Sequence, residues 1–206
     1  MMKNLWYASS LALVLFSCNS FICKNIQTGI VVNQSTGGSR SDTLTVRQYK
    51  AKISYKTTEI TGILISKKVN EDTLRGVFIN EFGIKGFDFT LTQKGVKMGH
   101  VFKNLDKWYI RKTLGKDLHF AFYLPEDLSI CTVGDTTVYL TTVNRRLHYV
   151  YHKANENLSV RADRYKGNRK TATKELYTND KRQTVIRLRH ADGALKYEFY
   201  DINKTL

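Results

Sequence analysis

Period-two alternation of apolar and polar side chains recurs along this chain and leaves few options for its fold. Phe87, Phe89 and Leu91 alternate with Asp88, Thr90 and Thr92, which places three apolar side chains on one face of an extended segment. Leu195, Tyr197 and Phe199 do the same against Lys196 and Glu198, and Leu147, Tyr149 and Tyr151, then Leu158, Val160 and Ala162, repeat the pattern. Turn-forming clusters separate these runs: Asn70-Glu71-Asp72, Gln93-Lys94-Gly95, Asn155-Glu156-Asn157, Lys166-Gly167-Asn168, Asn179-Asp180 and Asp192-Gly193. Short loops of this kind join antiparallel neighbours. The expected architecture is mainly β, a meander of about ten or eleven antiparallel strands with one wet and one dry face.

One interval interrupts the pattern. Asn104 can cap a helix with apolar positions Leu105, Trp108 and Tyr109, ending at Gly115. A second short helix can run from Asp117 to before Pro125, although the alternation of Leu118, Phe120, Phe122 and Leu124 equally fits a strand. Asp106 and Asp117 flank this insertion, where helix capping or dipole roles account for them. Residues 104–124 are therefore expected to cover the apolar face of a curved sheet, a natural container for an apolar ligand.

The N-terminus reads as an export signal. Lys3 precedes a short apolar run from Leu5 to Phe16, too short for the roughly 20 residues that span a bilayer as a helix. Leu15-Phe16-Ser17-Cys18 resembles the lipobox of bacterial lipoproteins, in which the cysteine is acylated and becomes the new N-terminus. The alternative is an ordinary secretory signal that happens to contain Cys18. Residues 1–17 are thus read as signal peptide, 18–43 as a lipidated tether rich in small polar residues, and 44–206 as a single domain. Of the remaining cysteines, Cys23 falls in the tether, and Cys131 is read as a buried, inert thiol rather than its disulfide partner.

The chain carries 33 Lys and Arg against 18 Asp and Glu, a formal charge of +15. Charge of this size speaks of partners rather than fold. An exported, anchored protein rarely meets nucleic acid, so an anionic membrane surface is the expected counterpart. Between Arg145 and Arg189 thirteen Lys and Arg face four acids. Arg161, Lys166, Arg169, Lys170, Arg187 and Arg189 are the candidates for an anionic-surface contact. A sheet's wet face also needs polar cover, and edge lysines deter aggregation, so the same residues have a purely structural reading.

No catalytic motif is present: there is no phosphate-binding glycine loop, no Gly-x-Ser-x-Gly and no His-Glu-x-x-His. His148 and His152 have the spacing of a helical metal pair, but on a strand they would stand roughly 13 Å apart. The chain is read as a non-enzyme without metal or cofactor. A hydrolase would require clustered acids or a histidine dyad in a cleft.

The most informative loop is Asn80-Glu81-Phe82-Gly83-Ile84-Lys85-Gly86, which carries Phe82 and Ile84 where a connecting loop is normally polar. Phe82 and Ile84 either project as a membrane-inserting tip or begin the next strand facing inward. With the lipobox, the strand Leu74 to Ile79, the Phe82-Gly83-Ile84 loop, the strand Phe87 to Leu91 and the distal stretches Tyr165 to Leu176 and Val185-Ile186-Arg187-Leu188, the chain resembles the outer-membrane lipoprotein receptor LolB and its relatives over most of residues 48–202. The resemblance implies a half-open antiparallel β-barrel with a helical lid and an apolar cavity for acyl chains. It further implies lipid or acylated protein as cargo, a periplasmic lipoprotein carrier as partner, and a monomer on the periplasmic face of the outer membrane. Phe82 holds the position of that family's protruding apolar residue. Phe78, Phe87, Phe89, Leu91, Trp108 and Tyr149 are the candidate cavity walls. Strong basicity, the helical insertion and the absence of proline-rich loops depart from the family pattern. The competing reading is an accessory envelope lipoprotein that binds a protein, glycan or anionic lipid through its basic face.

Overall fold

The computed structural model describes residues 26–27, 46–123, 129–133, 136–144, 147–152 and 160–203. The signal, Cys18, Cys23 and most of the tether lie outside these residues. Along the chain the strands are β1 (Ile26–Gln27), β2 (Val46–Tyr55), β3 (Thr58–Asn70), β4 (Thr73–Asn80), β5 (Lys85–Thr92) and β6 (Gly95–Val101). A 3-10 turn (Lys103–Leu105) and the helix α1 (Trp108–Phe122) follow. The strands then resume as β7 (Ser129–Val133), β8 (Thr136–Asn144), β9 (Leu147–His152), β10 (Val160–Lys166), β11 (Arg169–Thr178), β12 (Thr184–His190) and β13 (Leu195–Asp201).

These strands form one antiparallel sheet in the order β1-β7-β8-β9-β10-β11-β12-β13-β2-β3-β4-β5-β6. The sheet does not close: β1 and β6 are its edges. Among the described residues the result is a mainly β, half-open sheet with a single helix on its inner face. Thirteen strands are found among the described residues where about ten or eleven were expected. The excess includes β8, in which Val138, Tyr139 and Leu140 run together without alternation, and the two-residue β1. Ile26 of β1 sits opposite Cys131 of β7, so two residues of the stretch read as tether belong to the sheet edge.

Burial follows the sequence alternation where that alternation is clean. In β5, Phe87, Phe89 and Leu91 are buried and their neighbours are not. Tyr197 and Phe199 of β13, Tyr49 and Ala51 of β2, Leu64 of β3 and Phe78 of β4 continue the same inner face across the register. Glycines make room for the largest rings. A Cβ on Gly76 would sit 2.3 Å from the Phe89 ring, its cross-strand partner, and one on Gly62 would sit 2.2 Å from the Ile79 carbonyl.

The helix departs from expectation. Asn104 lies in the 3-10 turn, not at the cap; Lys107 holds the N-cap without a side-chain hydrogen bond. One helix runs through Gly115 to Phe122 and replaces both the break at Gly115 and the competing strand. Gly115 costs a helix under about 1 kcal/mol, and burial of Leu114, Leu118, Phe120 and Ala121 outweighs it. Phe122 inserts among Tyr49, Phe89 and Phe199 with ring centroids 5.0 to 6.5 Å apart, and Phe120 lies 4.7 Å from the Tyr149 ring.

Candidate functional site

Antiparallel order places every second connection at the same end of the sheet. β2 ends and β3 begins there, as do β4 and β5, β10 and β11, and β12 and β13; β6 also ends there and leads into α1. This end carries most of the exposed large apolar side chains of the described residues: Tyr55, Phe82, Ile84, Phe102, Trp108 and Tyr109. Only Val46, Val69 and Ile202 lie at the other end. The exposed lysines Lys56, Lys103, Lys107, Lys112 and Lys166 sit at this same end.

Phe82 is 87% exposed. Its projection is built into the turn. Asn80 Oδ1 accepts the N–H groups of Phe82 (3.0 Å) and Ile84 (2.8 Å), while the Asn80 backbone N–H donates to the Ile84 carbonyl (3.0 Å). Gly83 adopts φ +77°, a left-handed conformation that glycine reaches without a Cβ clash. The Thr61 hydroxyl donates to Glu81 Oε1 (2.6 Å) and ties the turn to the neighbouring strand. The backbone of this tip is thus fixed by hydrogen bonds while its largest side chain touches little. Ile84, 48% exposed, stands beside it.

Trp108 does not lie on the inner face expected for it. It is the first residue of α1 and is 74% exposed, edge-on to Tyr109 with the Lys112 ammonium 5.8 Å from its ring. The buried stripe of the helix starts only at Leu114, so the first turn overhangs the sheet instead of covering it. Phe78, Phe87, Phe89, Leu91 and Tyr149 do lie on the inner face. All are buried, in one core with Leu114, Leu118 and Phe120 of α1.

Beneath α1 is a polar cluster that sequence patterns did not reveal. Asp117, read as a flanking or capping residue, is instead buried and accepts three hydrogen bonds: from Arg164 Nη1 (2.7 Å), His190 Nε2 (2.9 Å) and the Tyr197 hydroxyl (2.8 Å). Burial, and then the Asp117 charge, push the Tyr197 phenol well above its usual pKa. Arg164 Nε also donates to the Thr171 hydroxyl. His119 Nδ1 lies 2.7 Å from the Tyr149 hydroxyl, and burial lowers its pKa. Lys174 is fully buried, its ammonium 3.3 Å from the Tyr123 carbonyl and 5.4 Å from the Phe120 ring centroid, and desolvation brings its pKa down to about 7. Any of these residues could have been found only by knowing which turn of α1 meets which strand.

The six basic candidates divide into two groups. Arg187 is paired with Glu198 (2.9 Å) and Glu175, Arg189 with Glu175 (3.5 Å), and Lys170 with Asp163 (2.7 Å). Burial alone would raise the Asp163 pKa, but hydrogen bonds from His152, Lys170 and Thr173 bring it far below the carboxylate range. Arg161, Lys166 and Arg169 are exposed and enter no ion pair among the described residues. Lys166, Arg169 and Lys170 line a cleft of about 540 Å³ together with Thr171, His190 and Asp192. His148 and His152 both lie on β9, and His152 Nε2 donates to Asp163. Among the described residues no group of three His, Cys, Asp or Glu could hold a metal ion, and no helix is long and apolar enough to cross a membrane. No protein-family model, curated protein or solved structure matches the chain.

Proposed function

We propose that this chain is an envelope lipoprotein, held by Cys18, whose folded domain docks on an anionic bilayer through the end of the sheet that carries Phe82. The observation that carries this reading is the turn itself: a phenylalanine 87% exposed on a hydrogen-bonded tip, at the same end as Trp108, Tyr109 and a set of lysines. Aromatic side chains suit the membrane interface, and lysines there add attraction to anionic lipid. Transfer of one phenylalanine side chain out of water is worth about 1.5–3 kcal/mol, so the tip contributes roughly tenfold or more in affinity. The test is flotation of the full chain carrying Cys18→Ser, which removes the lipid, with vesicles of phosphatidylcholine alone or mixed with phosphatidylglycerol. Binding to the anionic vesicles, weakened about tenfold by Phe82→Ser and by added salt, is the expected result. Equal flotation of Phe82→Ser would remove the tip from the account.

A second reading is the LolB-like one, in which the inner face holds acyl chains of a lipid or of an acylated protein during delivery to the outer membrane. It draws on the open sheet and on α1 packing chiefly along β6, an edge strand. Here α1 packs on the buried aromatic side chains of the inner face, so acyl binding there requires the helix to swing out. Saturable uptake of a fluorescent fatty acid, one per chain, would support it. Absence of uptake would leave the docking role alone.

A further inference from the structure

The cleft between the β10–β11 and β12–β13 turns has a chemistry that bilayer docking does not require. Lys166, Arg169 and Lys170 converge on it with His190, against one acid, Asp192. Asp192 is committed to its own turn, where its Oδ1 accepts the Ala194 N–H (3.0 Å). Lys170 spends one of its three donors on Asp163 and keeps two. Among the described residues Lys166 and Arg169 have no acidic partner.

The walls of the cleft are held from behind. His190 is fixed through Nε2 by Asp117, so any ligand contact from this ring falls to Nδ1. Thr171 is locked to Arg164, accepting from its Nε (3.1 Å) and donating to its carbonyl (3.1 Å). Asp117 in turn is saturated by Arg164, His190 and Tyr197, and its charge is spent inside the core instead of on the cleft. The helix adds more positive charge. Lys116 has its pKa lowered by burial and then by Lys112, Lys166 and Arg164, with Asp117 opposing. A fixed concave site with a guanidinium fork and ammonium groups is matched by a compact, multiply charged oxyanion.

We propose that this cleft binds a phosphate group, with Arg169, Lys166 and Lys170 as its cationic ligands. The site deepens the docking reading, because it lies at the end of the sheet assigned to the bilayer, and the phosphate is either a lipid headgroup or a free phosphate ester.

The Cys18→Ser chain is titrated with inorganic phosphate by calorimetry at constant ionic strength, with chloride as the control anion. Saturable binding of one phosphate per chain is expected, weakened at least tenfold by Lys166→Gln with Arg169→Gln and unchanged by Arg187→Gln on the outer face. Phe82→Ser should leave phosphate affinity intact even where it abolishes flotation, which separates failure of the docking reading from failure of the site. Phosphatidate vesicles, compared with phosphatidylglycerol vesicles of matched charge, distinguish the sources. Competition between phosphatidate and inorganic phosphate assigns the headgroup; phosphate binding without that competition assigns a free ester. Phosphate binding that does not saturate, or that the double variant leaves unchanged while its thermal unfolding is also unchanged, overturns the proposal.

Discussion

Asp117 on α1 and Arg164 on β10 form an ion pair at 2.7 Å with both side chains almost wholly removed from solvent. The pair fastens the helix to the sheet within the buried polar cluster beneath α1. Removing one partner leaves the other charged and buried, which costs about 3–5 kcal/mol. Asp117→Ala is therefore expected to lower the urea midpoint sharply. Asp117→Ala combined with Arg164→Met should recover part of the loss, because no unpaired cation remains. Urea unfolding of the three chains at one pH measures this, and a double variant less stable than the single one would contradict the assignment.

Lys174 makes stability depend on pH. An unfolded lysine keeps its proton up to about 10.5, whereas burial brings the folded value down to about 7. Between these values the unfolded chain binds more protons, so stability rises with pH; below about 7 both states are protonated and the burial penalty is present in full. The rise should amount to a few kcal/mol, on the order of 1.4 kcal/mol per pH unit. Tyr49 and Tyr197 have raised pKa values, so their phenols ionise first in the unfolded chain and reverse the trend above about pH 10. Lys174→Met is expected to be more stable than the parent at pH 7 and to lose the upward slope between pH 7 and 9. Thermal unfolding across that window decides, and identical slopes would remove Lys174 as the cause.

Two inner-face glycines should resist enlargement to different degrees. Alanine in place of glycine normally gains about 0.4–1 kcal/mol by restricting the unfolded chain, so the sign rests on the clash. At Gly62 the new Cβ would meet backbone, 2.2 Å from the Ile79 carbonyl, and β3 and β4 would have to separate. At Gly76 it would meet the Phe89 ring, a side chain held in the core but able to tilt. Overpacking of the second kind costs typically 1–3 kcal/mol. Gly62→Ala should be the more damaging of the two, by denaturant midpoint and by yield of folded chain.

The strands were legible because one face is dry and the other wet, and that contrast is printed in the order of residues. Phe87, Phe89 and Leu91 needed nothing else to be placed. The helix was half legible. Its apolar positions are there, but Leu118, Phe120, Phe122 and Leu124 also alternate, and only the sheet beneath decides that 114, 118 and 121 form a stripe. The Asp117 cluster was illegible for a different reason. Its members come from α1, β10, β12 and β13, and no local pattern marks an aspartate that will be buried. Trp108 was misplaced because large aromatic residues are assigned inward by default, whereas the first turn of α1 extends past the sheet. Phe82 stood out because two glycines and a phenylalanine together are unusual in a connection.

Phe82 and Phe78 provide the sharpest contrast between surface and core, four residues apart. Phe78 is 3% exposed and stacks on Phe87 with centroids 5.0 Å apart, so Phe78→Ala opens a cavity in the inner face. Loss of such a ring costs about 3–5 kcal/mol. Phe82→Ser removes a side chain that the fold barely touches, and its effect on unfolding should stay within about 0.5 kcal/mol of the parent. Asn80→Ala should fall between them. It leaves the Phe82 ring in place but deletes the acceptor for the Phe82 and Ile84 N–H groups, each worth about 1 kcal/mol. In vesicle flotation the order changes: Phe82→Ser is the weakest binder, Asn80→Ala is intermediate because the tip is no longer held out, and folded Phe78→Ala, assayed below its unfolding temperature, binds as the parent does. Stability and vesicle affinity that fell together across the three variants would mean that the tip acts only through the fold.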